Sequence, residues 1–204
     1  MTKSWETIRK EVLALGFEPA ANYEKQKEAF VSAYNWAQNH IASVVGCLLG
    51  EITIDKTKGE NPQVYDLHAL AEEKLGCGFM ALAQTGVINA TTMQPVDCAR
   101  ITDNRFLTLP ADYTGSVKVY FIRTPQPIYA ATAADTLCEL PYKWAMVLPY
   151  YMANRLFLED DAAKASYYCN LAEDMKNDIL AKENQQAVTV TGDENDGWWN
   201  VWAE

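Results

Sequence analysis

Apolar residues recur at helical spacing most clearly in residues 141–182. Trp144, Val147, Leu148, Tyr151, Met152, Leu156 and Leu158 include the three- and four-residue steps that gather side chains on one broad helical face. Pro149 lies within this run and removes one backbone donor, which predicts a bent helix and not a broken one. The acidic turn Glu159-Asp160-Asp161 then offers carboxylates to the free N–H groups and positive dipole end of a following helix. Ala165, Tyr168, Leu171, Ala172, Met175, Ile179 and Leu180 form the seam of that second helix, with Lys164, Glu173, Asp174 and Lys176 on its other faces. So short a connection predicts an antiparallel helical hairpin.

The earlier chain mixes both periods. Ser4 caps a short helix lined by Trp5, Ile8, Val12 and Leu15 and stopped at Gly16. Pro19 opens a linker in which Asn22 is the next cap. Phe30, Ala33, Tyr34, Ala37, Ile41, Val44 and Val45 then predict a helix of about six turns up to Gly46. Glu51-Ile52-Thr53-Ile54-Asp55 alternates at period two and predicts one short strand. Asp66 caps a further helix through Leu67, Leu70, Ala71 and Leu75, ended by Gly76-Cys77-Gly78. Residues 79–94 are ambiguous between helix and strand. Three runs at 98–102, 106–109 and 116–122, separated by Asp103-Asn104 and by residues 110–115, predict a β-meander. The fold class is therefore expected to be mainly α (α+β). Residues 1–186 form a helical bundle that ends in the antiparallel hairpin and carries a small antiparallel β-sheet insertion at 96–128, and residues 187–204 form an extended C-terminal tail.

That tail changes the functional picture. After Ala187-Val188-Thr189-Val190-Thr191 and a turn-like acidic stretch it ends in Trp198, Trp199 and Trp202, half of the chain's six tryptophans. A chain end does not readily cover three indoles by itself, so it either folds back on its own body or docks on a neighbour. Trp198, Trp199, Trp202, Val188 and Val190 are the candidate interaction residues.

Charge and composition narrow the classes further. The net charge is −10, from 17 basic and 27 acidic residues. That balance argues against a nucleic-acid-binding surface, whose affinity comes from clustered Lys and Arg. No run approaches the roughly eighteen uninterrupted apolar residues of a membrane span, and the amphipathic N-terminus lacks a signal-peptide core, so a cytoplasmic protein is expected. Cys47, Cys77, Cys98, Cys138 and Cys169 are odd in number and scattered, which reads as reduced thiols. His40 and His68 read as packing or surface residues, and no metal site is expected. Gly76-Cys77-Gly78 lacks the third glycine and the preceding strand of a phosphate loop, and no nucleophile elbow is present. The cluster Glu159-Asp160-Asp161 reads as a solvated cap, so no catalytic residue and no cofactor are assigned.

Three stretches carry a resemblance. SWETIRKEVLALGF with YEKQKEAFVSAYNWAQNHIASVVG, then RFLTLPADYTGSVKVYFIRTPQPI, then LPYKWAMVLPYYMANRLFLEDDAAKASYYCNLAEDMKNDILAK are similar to the opening, middle and closing parts of tailed-bacteriophage adaptor or head-completion proteins of the virion neck. The closing match includes the proline-led start, the acidic turn and the Asn-Leu-x-Glu-x-Met continuation. Residues 79–97 and the Trp-rich tail lie outside it.

The resemblance implies a structural virion protein that forms a homo-oligomeric, dodecameric ring below the portal protein. That ring would contact an adjacent neck or tail protein and let DNA pass without sequence-specific binding. It implies a virion location after a stage in the host cytoplasm, no membrane and no enzymatic activity. Three other readings stand beside it: a tail-side connector or tail-terminator component, a small cytoplasmic enzyme whose acid–base pair would line a deep pocket, and a soluble helical regulator or scaffold of the bacterial host.

Overall fold

The computed structural model describes residues 2–16 and 23–188. In chain order these form α1 (Trp5–Ala14), α2 (Tyr23–Val45), β1 (Leu49–Lys56), β2 (Gln63–Asp66), α3 (Leu67–Leu75) and β3 (Phe79–Asn89). There follow β4 (Arg100–Thr102), β5 (Phe106–Leu109), β6 (Gly115–Arg123), α4 (Tyr142–Ala145), α5 (Leu148–Phe157) and α6 (Ala162–Val188).

The expected helical bundle with a small β insertion is corrected by this structure. The chain is mixed α/β, 43% helix and 24% strand, with two three-stranded antiparallel sheets. One has the order β1-β6-β3 and the other β2-β5-β4. The strand expected at 51–55 is present as β1, but it pairs with β6, and β2 and β3 also precede residue 96, so the sheets are not confined to 96–128. The expected meander is also corrected, because β5 and β6 belong to different sheets, and β6 is the central strand between β1 and β3.

Local chemistry sets the element ends. Ser4 Oγ accepts from Thr7 N at 3.3 Å to cap α1. Asp161 Oδ1 accepts from Lys164 N at 3.0 Å at the start of α6. Gly76 takes the left-handed conformation, φ +62°, that closes α3. The bend expected at Pro149 is instead an interruption: α4 stops at Ala145, and Pro149 stands in the first turn of α5, where its missing N–H has no helical partner to lose. α5 and α6 run antiparallel, since Asn154 Nδ2 donates to Ala165 O at 3.0 Å near the turn and Tyr151 Oη donates to Glu173 at 2.6 Å further from it.

Apolar burial divides into two main cores. One joins Trp5, Ile8 and Val12 of α1, Phe30, Tyr34 and Ile41 of α2, and Trp144, Leu148, Tyr151 and Met152 of α4 and α5. The other joins Ile52, Ile54, Leu67, Phe79, Leu107, Leu109, Val117, Val119 and Phe121 from both sheets and α3. The inward face of β1 meets β6 so closely that a Cβ on Gly50 would lie 2.5 Å from the Phe121 ring.

The strap 124–128 joins the two halves. Pro125 and Pro127 have no N–H, so within residues 125–128 only Gln126 and Ile128 can donate from the backbone. Side chains take up both residues in full. Asn35 accepts from Ile128 N at 2.9 Å and donates to Ile128 O at 2.8 Å. Glu139 accepts from Gln126 N at 3.2 Å, and Gln38, buried on α2, donates to Gln126 O at 3.0 Å. The Gln126 amide itself donates to Gly76 O at 2.7 Å, which ties the strap to the end of α3.

Asn35→Ala removes both partners of Ile128 at once. Leaving a part-buried donor and acceptor unmade costs about 1–3 kcal/mol. The expected result is a lower urea midpoint with an unchanged slope; a midpoint equal to wild type would contradict the role given to Asn35.

Candidate interaction surface

The strand β1 alternates strictly between exposed and buried positions along its length. Gly50, Ile52 and Ile54 face the core, while Leu49, Glu51, Thr53 and Asp55 face solvent, as a period of two requires. The backbone alternates in the same way. Arg123 N donates to Leu48 O at 2.9 Å, so in this antiparallel register the even-numbered residues exchange bonds with β6. The N–H and C=O groups of Leu49, Glu51, Thr53 and Asp55 therefore point away from the sheet. Lys74 Nζ confirms the direction by donating to Thr53 O from outside at 2.7 Å. Among the described residues no backbone bond reaches the outer side of these four positions.

The other edges are treated differently. On β3, Asn104 donates to Met80 O at 3.2 Å and accepts from Leu82 N at 3.1 Å, so one side chain stands in for a neighbouring strand. Further along, Val96 N donates to Val87 O and Asn89 N to Gln94 O, which closes that end of β3 with its own hairpin. Asn104 sits at φ +49° after Asp103 at φ +54°, a turn that these two residue types tolerate. The edge strands β2 and β4 are only four and three residues long. With eight residues, β1 is the long open edge among the described residues.

Polar contacts hold the ends and outer face of β1. Glu51 pairs with Lys118 at 2.8 Å, and its carboxyl is held below the usual range by hydrogen bonds from Lys118 and Tyr120. Lys56, buried at the far end of the strand, donates to Thr57 O, Ala111 O and Tyr113 O at 3.2, 3.2 and 3.3 Å. Leu49 is left 62% exposed, unusually open for a leucine in a sheet.

A second cluster lies on the helical half. Trp36 stacks on His40 at 5.3 Å, Tyr151 meets His40 edge-on at 4.9 Å, and the Arg155 guanidinium lies 5.8 Å from the Trp36 ring centre. Burial and the bond to Glu173 push the Tyr151 phenol well above its ordinary value. Glu173 is held low by Lys176 and Tyr151, and burial lowers His40. These groups do not line a hollow of about 470 Å³ that lies between α2 and the strap and is bordered by Glu28, Val31, Asn35 and Tyr129.

Trp198, Trp199, Trp202 and Val190 lie outside the described residues, and Val188 is the last residue of α6. His68 rests against Phe79, and none of the five cysteines is in a disulfide. Sequence reasoning missed the closing role of Asn104 and the outward reach of Lys74. The Asp103-Asn104 pair signalled a turn, but its partner strand lies too far away in sequence to be seen. Among the described residues no helix is long and apolar enough to cross a membrane. No family model and no curated protein matches the chain.

At the mouth of α3, Asp66 accepts from His68 N and Ala69 N and receives a forked pair from Arg105, with Nη2–Oδ2 at 2.6 Å. The Arg105 bonds, helped by the backbone donors, hold its carboxyl down at about 2, against 3.8 when unperturbed. Since the folded value lies below the unfolded one, the ionised group favours the fold. Its contribution is complete above about pH 4 and is lost as pH falls through about 2. Urea midpoints measured from pH 5 to pH 2 should fall more for wild type than for Asp66→Asn, and parallel curves would contradict this.

Proposed function

We propose that this chain is a structural subunit of a tailed-phage neck, which assembles into a ring beneath the portal and leaves a passage for DNA. The observation that carries the reading is the long open edge of β1 in a fold that closes or shortens its other edges. A ring built from one repeated contact needs two different, complementary surfaces on each subunit. An open edge is one such surface, and the Trp-rich stretch 198–202 is a suitable second.

Other features support the same reading. The acidic turn and the antiparallel pair α5–α6 lie within the closing stretch that carries the resemblance to adaptor proteins. A net charge of −10 suits a wall past which DNA slides, because few clustered cations are available to hold phosphates. In this role the protein works by presenting surfaces, and the Tyr151–Glu173 pair serves to lock α5 on α6.

The test is the native mass of the purified protein alone and after mixing with portal rings. Full-length chain is expected to add to the portal as a ring. Chain lacking residues 197–204 is expected to remain a folded monomer that does not add. Normal assembly by the truncated protein would remove the tail from the account, and failure of the full chain to bind would overturn the neck reading.

A further inference from the structure

An open edge is a hazard as well as a surface, because two copies of β1 can pair with one another. Such a pair is two-fold symmetric and closes on itself, whereas a ring repeats a contact between two different surfaces. Self-pairing would therefore take β1 away from ring assembly. The register of that pairing can be worked out from the strand itself.

Only outward-pointing backbone groups bond across the two-fold axis, so Leu49, Glu51, Thr53 and Asp55 must meet the same residues of the other strand. Centring the axis on Glu51 sets that carboxylate against its own copy, and centring it on Thr53 sets Glu51 against Asp55. Like charges directly opposite destabilise a sheet. An axis at Ile52 places Glu51 opposite Thr53 and Leu49 opposite Asp55, which opposes no like charges and engages every outward residue of the strand. Self-pairing favours this register.

Lys74 stands in its way. Its Nζ donates to Thr53 O at 2.7 Å from outside the sheet, so the carbonyl that would accept from Glu51 N–H of the second copy is already taken. The two-fold axis doubles the obstruction, since both central bonded pairs contain a Thr53. It also brings two Lys74 side chains to one axis, and Lys74 makes no ion pair among the described residues that would neutralise it. With Thr53 O occupied, Leu49 and Glu51 remain on one side and Asp55 on the other, runs too short to hold a strand. The lysine is firmly placed because α3 is anchored along its length. Leu67 and Ala71 are buried, Arg105 grips Asp66 at the start, and the Gln126 amide binds Gly76 O just past the end.

We propose that Lys74 guards the outer edge of β1 against β1 of a second copy, so that free chains stay apart until a neighbouring subunit of the ring displaces the lysine from Thr53 O. The inference rests on the ring reading for its purpose and names how that same edge is regulated. Lysine on an exposed strand edge is a known deterrent to edge-to-edge pairing, and here it reaches the edge from a helix.

The experiment is the native mass of the full chain alone, over a concentration series, for wild type, Lys74→Ala and Lys74→Arg. Lys74 is exposed and alanine is the best helix former, so α3 is kept. Lys74→Ala is expected to dimerise at a concentration on the order of tenfold below wild type, as the loss of one charged hydrogen bond implies. Lys74→Arg keeps a charged donor on a long stem and should match wild type. In the Lys74→Ala dimer the amides of Leu49, Glu51 and Thr53 should exchange slowly. A Lys74→Ala chain no more dimeric than wild type would overturn the proposal, as would a dimer whose outer amides stay fast, or a Lys74→Arg chain that dimerises like Lys74→Ala. No portal enters these measurements. Addition of wild type to portal rings is read separately, so a failure there counts against the neck reading and leaves the result for Lys74 intact.

Discussion

The alternation of proline with hydrogen-bonding residues in the strap 124–128 is the constraint on which the architecture depends. Ile128 is buried, and the bonds to its N–H and C=O and to the Gln126 carbonyl are part-buried, so leaving these three unpaired would cost a few kcal/mol at about 1–3 kcal/mol each. Two prolines reduce the number of donors to be satisfied, and Asn35, Gln38 and Glu139 satisfy what remains. The β half is thereby held on α2 by side-chain amides and not by a shared sheet. Because Gln126 also reaches Gly76, the end of α3 is drawn into the same network. The surface carried by the sheets is consequently held in a set orientation to the helices.

The treatment of strand edges follows from the same economy of polar groups. An unpaired edge is a template for further pairing, and soluble proteins shorten, bulge or cover theirs. Here β2 and β4 are short, and β3 is covered by Asn104 and by its own hairpin, with register shifts between Phe79 and Ala81 and between Leu82 and Val87. β1 has one lysine bond along its outer side and a leucine at its exposed end. That asymmetry turns a mixed α/β body into a candidate assembly unit, and it joins the resemblance of the helical hairpin to the acidity of the chain in one account.

Much of the helical half was legible in sequence because its signals are local. Ser4, Asp66 and Asp161 cap where their spacing predicts, and the apolar steps of α2, α5 and α6 match their buried faces, except that Val44 near the end of α2 is exposed. Pro149 was misjudged, since position in the first turn and not mere presence decides what proline does to a helix. The sheets were read poorly for a physical reason. β3 loses period two where its register shifts, β2 is too short to show a period, and the partners of β1, residues 115–122, lie far from it in sequence. The openness of an edge depends on which strands pair, so no reading of Leu49, Glu51 and Thr53 alone would reveal it. The roles of Asn35 and Asn104 were hidden likewise, because each bonds backbone remote from it in the chain.

Hydrogen exchange along β1, compared between the free protein and the portal-bound ring that the proposed function requires, tests the central claim most directly. In the free protein the amides of Gly50, Ile52 and Ile54, which face β6, should exchange slowly, and those of Leu49, Glu51 and Thr53 quickly. Assembly should slow the second set to match the first. Outer-edge amides that are already slow in the monomer, or that stay fast in the ring, would contradict the account.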